Sequence, residues 1–238
     1  MQHEQGLTIN NLNAFYGKAQ VLRNVSLSVR PGERVAILGR NGMGKTTLLK
    51  SILNIDHVRV SGSIQYKGVE LAGKETSCIA RSGIGYIPQG WQLFRSLSVE
   101  EHLIMPYRKS KDGYEWTPER VLDAFPEIAR RRKVGGTRLS GGEQQILAIG
   151  RALVTNAPMI LMDEPSEGVS TMVLERVREM CEELAAHGRG ILLVEQNLSL
   201  ALKIAERVLI LVNGEIVYET TASEFANDRE RQAQFLGV

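Results

Sequence analysis

Residues 39–46, GRNGMGKT, constrain the fold of this chain more than any other stretch. They match the pattern G-x-x-x-x-G-K-[ST], with the apolar run VAIL just before them and the helix-like stretch TTLLKSIL at their end. In such a strand–loop–helix unit the glycines let consecutive backbone N–H groups surround phosphate oxygens, and the helix N-terminus adds its positive dipole end. The spacing differs from G-x-G-x-x-G, which excludes a dinucleotide-binding fingerprint.

The side chains of this loop indicate how a nucleotide is held. We expect Lys45 to reach the β- and γ-phosphates and Thr46 to ligate Mg²⁺. The residues predicted to contact the phosphate groups are Gly39, Arg40, Asn41, Gly42, Met43, Gly44, Lys45, Thr46 and Thr47.

Short apolar runs alternate with helix-like segments along the rest of the chain. The runs suit buried parallel strands, and they are too short for a membrane span, which needs about 20 apolar residues. Strands that alternate with helices predict an α/β fold with a parallel sheet. The runs are 35–38, 159–162, 191–194 and 208–212, and helices are expected at about 143–155, 171–187 and 198–206.

Both ends of the chain indicate additional antiparallel strands. Residues 7–38 read as strands with a Pro31-Gly32 turn, and residues 62–66 suggest another strand. Near the other end, Asn213-Gly214 between two strand-like runs is typical of a type I′ hairpin. The early strands and the closing hairpin together suggest a small antiparallel sheet beside the parallel one.

A charged, helix-like stretch, residues 96–137, separates the two halves of the predicted core. Within it, Thr117 is expected to be the N-cap of a helix that begins at Pro118. We therefore predict one domain over residues 1–238, with a P-loop NTPase parallel-sheet core, a small antiparallel β subdomain and a helical insert subdomain. The core with its β subdomain is assigned to 1–95 and 138–238, and the insert to 96–137.

Composition limits the classes of partner. The net charge is +2, from 29 Lys and Arg against 27 Asp and Glu, and it does not indicate a nucleic-acid-binding surface. Cys78 and Cys181 lie in no CxxC pattern, so we interpret them as buried free thiols. Four histidines are expected to be structural or solvent-facing, and they are His3, His57, His102 and His187.

An acidic pair follows one of the apolar runs. The stretch MILMDE would deliver Asp163 and Glu164 to the carboxyl end of a strand, the edge at which a phosphate loop opens. Asp163 is expected to hold Mg²⁺ through its water shell, and Glu164 to orient and deprotonate the water that attacks the γ-phosphate. Alone, such a pair would more often be a solvated strand end, but the phosphate loop reverses that balance.

A third motif, LSGGEQQ at 139–145, begins an amphipathic helix. Its residues Ser140, Gly141 and Gly142 form a second helix N-terminus of small residues, suited to an anion. This stretch is the signature of ABC-type ATPases, and the chain resembles that family over nearly its whole length. In the family, each signature contacts the γ-phosphate held by the other subunit in a head-to-tail dimer that encloses two ATP molecules.

The resemblance implies roles for further residues. Tyr16 corresponds to an aromatic ring that stacks on adenine, although a strand tyrosine packed on the core is the alternative. Gln89, in GYIPQ, corresponds to a loop glutamine that contacts Mg²⁺, with an ordinary loop amide as the alternative. Trp91, Leu93 and Phe94 fit the core and a groove for a transmembrane partner's helix equally well.

Two positions depart from the family's pattern. Ser170 stands where an Asp is usual, and we interpret it as the N-cap of the following helix. Gln196 replaces the usual His that contacts the γ-phosphate. An amide donates a hydrogen bond but does not titrate near neutral pH, so Gln196 is expected to position and sense the phosphate. Asn197 is expected to cap the next helix, and Glu195 has no predicted role.

The VEQN stretch, the closing FLGV and the IGYIPQG segment resemble one subgroup of the family. It comprises ATPase subunits of bacterial importers for branched-chain or other hydrophobic amino acids, with urea and short-amide importers as relatives. The resemblance implies ATP and Mg²⁺ as cofactors. It also implies a second ATPase subunit in a homo- or heterodimer, transmembrane permease subunits and, indirectly, an extracytoplasmic substrate-binding protein. The chain would then be cytoplasmic, on the inner face of the membrane.

Two other functions stay open from the residues. One is a soluble ABC ATPase without transport, such as an assembly scaffold, and the other is a lipid-extraction exporter. Both are expected to keep the histidine that Gln196 replaces, so Gln196 favours import.

Overall fold

The computed structural model of the chain describes residues 6–237 as strands and helices in the following order. The strands are β1 (Leu7–Tyr16), β2 (Ala19–Val29), β3 (Arg34–Leu38), β4 (Arg59–Tyr66), β5 (Val69–Glu70), β6 (Ile84–Ile87), β7 (Met159–Asp163), β8 (Gly190–Glu195), β9 (Arg207–Val212) and β10 (Glu215–Thr221). The helices are α1 (Lys45–Leu53), α2 (Thr76–Arg81), α3 (Val99–Ile104), α4 (Pro118–Ala124), α5 (Pro126–Ala129), α6 (Gly141–Leu153), α7 (Thr171–Ala186), α8 (Leu198–Ile204), α9 (Ala222–Asn227) and α10 (Arg229–Leu236).

These strands form two sheets. The larger has the order β10-β9-β3-β8-β7-β6, and its neighbours run parallel except β10, which is antiparallel to β9. The smaller is antiparallel, with the order β2-β1-β4-β5. The α/β fold with a parallel-sheet core and a small antiparallel sheet is therefore confirmed.

The central strands are buried on both faces because side chains alternate across a sheet. In β3, Ala36 and Leu38 face one hydrophobic cluster, which includes residues of α3 to α9. Val35 and Ile37 face a second cluster, which includes residues of α1 and the antiparallel sheet. The larger sheet is thus the middle layer of the fold, with helices on one side and α1 and the small sheet on the other.

The closing hairpin lies in a different sheet from the one predicted. Its turn is confirmed as type I′, because Asn213 and Gly214 both have positive φ, 49° and 82°. However, β9 pairs with β3 in the larger sheet, and the prediction that the hairpin belongs to the small sheet is wrong. The physical reason is that β9 is buried along Val208 to Leu211, which suits a strand covered on both faces.

Capping residues explain the helix starts. Thr117 Oγ1 accepts a hydrogen bond from the Arg120 backbone, which confirms this N-cap. The signature helix begins at Gly141, two residues earlier than predicted, because Ser140 and Glu143 form a capping box at its N-terminus.

The stretch predicted to be an insert contains α3, α4, α5 and a 3₁₀ turn at Gly136–Arg138. These helices share one hydrophobic cluster with the signature helix α6, through residues such as Leu103, Val121 and Ile146. The division of the chain at 96 and 137 stays a prediction. Next to this stretch, Leu93 packs against the cluster, whereas the Phe94 side chain is half exposed.

The structure separates the two cysteines. Cys181 is buried on α7, and this burial raises the pKa of its thiol to about 12. Cys78 is exposed, so the prediction of a buried thiol is wrong there; Ile79 is the residue that the short helix α2 buries. No helix within residues 6–237 is long and apolar enough to cross a membrane.

The histidines in the described part of the chain are structural or exposed, as predicted. His102 is buried and accepts a hydrogen bond at Nε2 from the Phe94 backbone, while its Nδ1 lies 2.8 Å from the Ser98 carbonyl oxygen. His57 and His187 are exposed. His3 lies outside the described residues.

Gly214 should tolerate substitution far less than Gly68, although both have positive φ. A Cβ on Gly214 would lie 1.9 Å from the Val21 carbonyl oxygen, whereas a Cβ on Gly68 meets nothing within 4 Å. We expect Gly68→Ala to cost about 1–2 kcal/mol of unfolding free energy, from its backbone conformation alone. Gly214→Ala should add about 1–3 kcal/mol for overpacking, measured by urea denaturation. Equal costs for the two variants would contradict this packing.

Candidate functional site

The strand register brings the predicted motifs to one edge of the larger sheet. Leu38, which precedes the phosphate loop, lies opposite Glu195 on β8. Asp163, at the end of β7, lies opposite Val194, and Ile87 on β6 lies opposite Met162. Because parallel strands end at the same edge, the loops that follow β3, β6, β7 and β8 surround one cavity.

This cavity has a volume of about 690 Å³ and combines the phosphate loop with polar ends of the neighbouring strands. It includes most of the predicted loop residues, together with Gln89, Glu164 and Gln196. Sequence reasoning missed Val21, Ser166, Glu167 and Glu195 among its lining residues. The lining residues of the loop and helix α1 are Asn41, Gly42, Gly44, Lys45, Thr46 and Thr47.

Three predicted loop residues do not line the cavity. Arg40 donates a hydrogen bond from Nε to the Leu236 carbonyl at the end of α10. The Met43 carbonyl accepts a hydrogen bond from the Gly214 backbone, which ties the loop to the closing hairpin. A Cβ on Gly39 would lie 2.5 Å from the Leu211 carbonyl oxygen, so this glycine permits close approach to β9. These three residues attach the phosphate loop to α10, to the closing hairpin and to β9. Their contact with phosphate stays a prediction.

Lys45 is the one basic side chain among the described residues that line the cavity. Its Nζ donates to the carbonyl oxygens of Gly39, at 2.9 Å, and Arg40, at 3.2 Å. It also forms an ion pair with Glu164 Oε1 at 3.2 Å, with only 4% of the lysine side chain exposed. The structure therefore joins the predicted phosphate-binding cation directly to the predicted catalytic base.

Thr46 lines the cavity and is hydrogen-bonded to Asp163, which is fully buried and does not itself line the cavity. Thr46 Oγ1 donates to Asp163 Oδ1 at 3.0 Å, and the Tyr86 hydroxyl donates to Oδ2 at 3.2 Å. Burial raises the pKa of the Asp163 carboxyl above its ordinary range, and the nearby charge of Glu164 acts in the same direction, although both hydrogen bonds oppose the shift.

These oxygens fit the magnesium ion that the sequence predicts. Hydroxyl, carboxylate and amide oxygens are the ligands that Mg²⁺ prefers, and Mg²⁺ usually retains water and substrate phosphate oxygens in its coordination shell. Residues 6–237 contain no cluster of three or more His, Cys, Asp or Glu that could hold a metal ion. Thr46, Asp163 and Gln89 are the candidates to hold the ion together with a nucleotide.

Glu164 has an unusual backbone for a non-glycine residue, with φ of +46°. Such a conformation costs of order 1–3 kcal/mol and persists where the surrounding structure holds it. Its backbone N–H donates to the Val194 carbonyl at 3.0 Å. Gln89 Nε2 donates to Glu164 Oε2 at 3.2 Å and to Glu167 Oε2 at 3.3 Å. The glutamate is thus held by Lys45 on one oxygen and by Gln89 on the other.

Glu195 is the most buried carboxylate that lines the cavity, with 1% of its surface exposed. Its carboxylate accepts hydrogen bonds from the backbones of Ser166, Gln196 and Asn197 and from the Ser166 hydroxyl. Burial raises the pKa of the Glu195 carboxyl above its ordinary range, although the hydrogen bonds from Asn197 and Ser166 oppose this shift. In the sequence, the position of Glu195 directly after the apolar run 191–194 could have indicated that this carboxylate belongs to the site.

The two positions that depart from the family's pattern lie in different surroundings, Gln196 at the cavity and Ser170 at the start of α7. The exposed side chain of Gln196 lines the cavity next to Asn197, whose side chain caps α8 by accepting from the Leu200 backbone, as predicted. Ser170 is the N-cap residue of α7, as predicted: its backbone is extended and its carbonyl accepts from the Leu174 N–H at 3.0 Å, although its hydroxyl accepts no capping hydrogen bond. The first turn of α7 is exposed at Thr171 and Met172, so water can satisfy its N–H groups.

The signature residues and the predicted adenine ring lie outside this cavity. Ser140 is exposed, and a Cβ on Gly141 would lie 3.3 Å from the indole ring of Trp91. A Cβ on Gly142 would lie 3.3 Å from the Gly168 carbonyl oxygen. Tyr16 is 37% exposed at the end of β1, which does not suit a core residue. The structure therefore does not join these residues to the phosphate loop of the same chain.

The raised pKa of Glu195 predicts a specific dependence of stability on pH. A raised folded-state pKa means that the folded protein binds this proton more tightly than the unfolded chain. The stability it contributes is fully present below the ordinary glutamate pKa of about 4.3 and is lost as pH rises through the raised value. Wild type should therefore lose unfolding free energy relative to Glu195→Gln as pH rises above about 4.3. Urea denaturation at several pH values measures this difference, and a constant difference would contradict it.

Comparison with known proteins identifies relatives over almost the whole chain. Residues 22–167 match the family described as ABC transporter. The high-affinity branched-chain amino acid transport ATP-binding protein BraG of Pseudomonas aeruginosa is 41% identical, over 97% of this chain and 99% of its own. The probable branched-chain amino acid transport ATP-binding protein LivF of Archaeoglobus fulgidus is 34% identical, over 95% and 97%. The lipopolysaccharide export ATP-binding protein LptB of Escherichia coli is also 34% identical, over 97% of each chain.

Solved structures of ATP-binding cassettes have the same fold. An ATP-binding subunit of an ABC transporter matches with a TM-score of 0.82 and 29% identity, covering 98% of this chain and 97% of its own. A dimeric cassette in a post-hydrolysis state, bound to ADP and Pi, matches with a TM-score of 0.77 and 26% identity, covering 91% and 98%. Family and fold agree with the expectation from the three motifs: the chain belongs to the ABC transporter family, as an ATP-binding and ATP-hydrolysing subunit.

Proposed function

We propose that this chain powers a membrane importer of branched-chain or other hydrophobic amino acids. The observation that carries the proposal is its similarity to BraG, which is 41% identical over nearly the full length of both chains. The export protein LptB is less similar, at 34%, although it covers the chain equally well. The presence of Gln196 at the cavity, where exporters of this type are expected to have histidine, supports import as well.

ATP would bind with its phosphate groups on the N-terminus of α1, where backbone N–H groups and Lys45 face the cavity. Tyr16 is the candidate to stack on adenine. Thr46, Asp163 and Gln89 would hold Mg²⁺, which when bound would neutralise charge that develops on the phosphate oxygens.

Hydrolysis requires that Lys45 and Glu164 separate. The two side chains are paired at 3.2 Å, so Lys45 neutralises the carboxylate that would have to accept a proton. A γ-phosphate is the stronger partner for Lys45, and binding of ATP would draw the lysine away from Glu164. The catalytic carboxylate would then become available only when the substrate is present.

The chemical step is transfer of the γ-phosphoryl group to water. Glu164 would orient a water molecule and accept its proton as the water oxygen attacks the γ-phosphorus and the bond to the β–γ bridging oxygen breaks. Gln196 would donate a hydrogen bond to a γ-phosphate oxygen and so favour the reactive position of the phosphate. Gln196 does not titrate, so Glu164 handles the proton alone.

A second protomer would complete the site. Ser140 caps the 13-residue helix α6, and Gly141 and Gly142 are its first two residues, yet all three lie outside the cavity of their own chain. In a head-to-tail dimer they would contact the γ-phosphate held by the partner. The dimeric cassette with ADP and Pi supports this arrangement.

Permease subunits would hold the dimer at the inner face of the membrane, next to an extracytoplasmic binding protein. The exposed ring of Phe94, which follows the Gln89 loop, is a candidate contact for a helix of such a permease. Movement of the Gln89 loop on ATP binding would reach this surface directly.

The role of Glu164 is tested by Glu164→Gln, with Glu167→Gln as the matched control. Both carboxylates accept a hydrogen bond from Gln89, but only Glu164 also pairs with Lys45. We expect Glu164→Gln to lower ATP turnover by about 10²–10⁴-fold, because general base catalysis contributes that much. ATP binding should persist, and an ATP-bound dimer should accumulate on gel filtration. A far smaller loss is expected for Glu167→Gln, and wild-type turnover in Glu164→Gln would exclude this glutamate as the base.

The transport function is tested by purification from native membranes. We expect the chain to co-purify with multi-span permeases and its ATPase rate to rise when a binding protein loaded with leucine is added. The same binding protein without ligand is the control. Isolation with a lipopolysaccharide export complex, or full activity without any membrane partner, would contradict import.

A further inference from the structure

Glu195 connects two loops that leave neighbouring strands. Oε1 accepts from the Ser166 backbone N–H at 3.0 Å, and Oε2 accepts from the Ser166 hydroxyl at 3.1 Å. Oε2 also accepts from the backbone N–H groups of Gln196, at 3.1 Å, and Asn197, at 3.0 Å. One carboxylate therefore joins the loop after β7 to the loop after β8.

Each of these loops carries a side chain with a proposed role in hydrolysis. Glu164 lies two residues before Ser166 and has the strained φ of +46°, which needs neighbours that hold it in place. Gln196 follows Glu195 directly and lines the same cavity. The Glu164 backbone also donates to Val194 at 3.0 Å. Glu195 thus anchors the segment that follows Glu164, while Val194 anchors Glu164 itself.

The geometry does not support a direct role for Glu195 in proton transfer. The carboxylate is 1% exposed, and both of its oxygens already accept hydrogen bonds from protein donors. A general base needs an oxygen that can reach a water molecule on the substrate. Among the described residues, Glu195 instead accepts hydrogen bonds from the Ser166 backbone and hydroxyl and from the Gln196 and Asn197 backbones.

Glu195 differs from Glu33, another buried carboxylate, in the charge of its partners. Glu33 is 4% exposed and is neutralised by ion pairs with Arg30 and Arg207. The partners that the structure describes for Glu195 include no Lys or Arg, so its charge is buried without a compensating cation. Burial of such a group costs stability, and sites that serve activity commonly carry costs of this kind.

We propose that Glu195 is a positioning residue that holds Glu164 and Gln196 in one fixed arrangement around the γ-phosphate. This inference rests on the proposed function, which assigns Glu164 as the base and Gln196 as the phosphate sensor. Through Ser166, Glu195 restrains the loop that carries Glu164. Through the Gln196 and Asn197 N–H groups, it fixes the end of β8 from which Gln196 projects.

The first test measures kcat, KM for ATP with Mg²⁺ and the free energy of unfolding for Glu195→Gln, with Glu33→Gln as control. Glutamine keeps the shape but places an NH₂ group against backbone donors. We expect kcat to fall by about 10- to 100-fold, as loss of positioning does, while KM changes by less than about threefold. Glu33→Gln should lose stability and keep kcat. Equal effects of both variants on kcat would overturn the inference.

Ser166→Ala provides a milder test, because it places no side-chain NH₂ group against the buried backbone donors. It removes the hydroxyl donor to Oε2 and leaves the Ser166 N–H bond to Oε1 intact. We expect kcat to fall about twofold to tenfold, the range for one hydrogen bond. Because both variants act on one contact, Ser166→Ala should change kcat much less when Glu195→Gln is already present. Independent effects, or no effect of Ser166→Ala, would contradict the proposed contact.

Adding Glu164→Gln distinguishes failure of the inference from failure of the proposed function. If Glu195 acts by positioning Glu164 and Gln196, Glu195→Gln should lower the residual turnover of Glu164→Gln much less than it lowers that of wild type. Wild-type turnover in Glu164→Gln would overturn the assignment of the base, whatever Glu195→Gln does. If Glu164→Gln loses turnover but Glu195→Gln behaves like Glu33→Gln, only the role of Glu195 is overturned.

Discussion

Parallel pairing of the buried strands β3, β8 and β7 sets the geometry of the rest of this protein. Their register places Leu38 opposite Glu195 and Val194 opposite Asp163. Each strand is apolar on both faces, so a shift by one residue would exchange the side chains that face the two hydrophobic clusters. The loops that follow these strands are consequently held around one cavity, and every side chain with a proposed catalytic role depends on that register.

The electrostatics of this cavity are unusual for a site that binds a polyanion. Lys45 is the single basic side chain among its described lining residues, whereas three carboxylates line it. Each of these groups is restrained differently: Lys45 and Gln89 hold Glu164, and backbone N–H groups hold Glu195. Such an arrangement leaves little net attraction for phosphate from side-chain charge. Backbone N–H groups and the helix dipole at the N-terminus of α1 therefore have to supply most of the protein's attraction for phosphate.

Local patterns predicted much of the fold. The run at 159–162 lacks only the last residue of β7, and the run at 191–194 differs from β8 by one residue at each end. The hairpin turn follows from residue types that favour positive φ, and the Asn197 cap follows from a side-chain oxygen that accepts a hydrogen bond from a nearby backbone N–H. The predictions that were wrong depend on surroundings. Cys78 is exposed because the short helix α2 buries Ile79 instead, and the closing hairpin lies in the larger sheet because β9 pairs with β3. A local pattern does not contain that information.

The sequence by itself determined the phosphate loop, the acidic strand end and the signature helix, and with them the family. Each of these motifs depends on a few residue types at fixed spacing, so a short stretch carries all the information. Only the tertiary structure decided which side chains meet. Lys45 pairs with Glu164, and Glu195 holds Ser166, because strand order places distant segments next to each other. That order results from the packing of the whole sheet between its two hydrophobic clusters, and no local pattern encodes it.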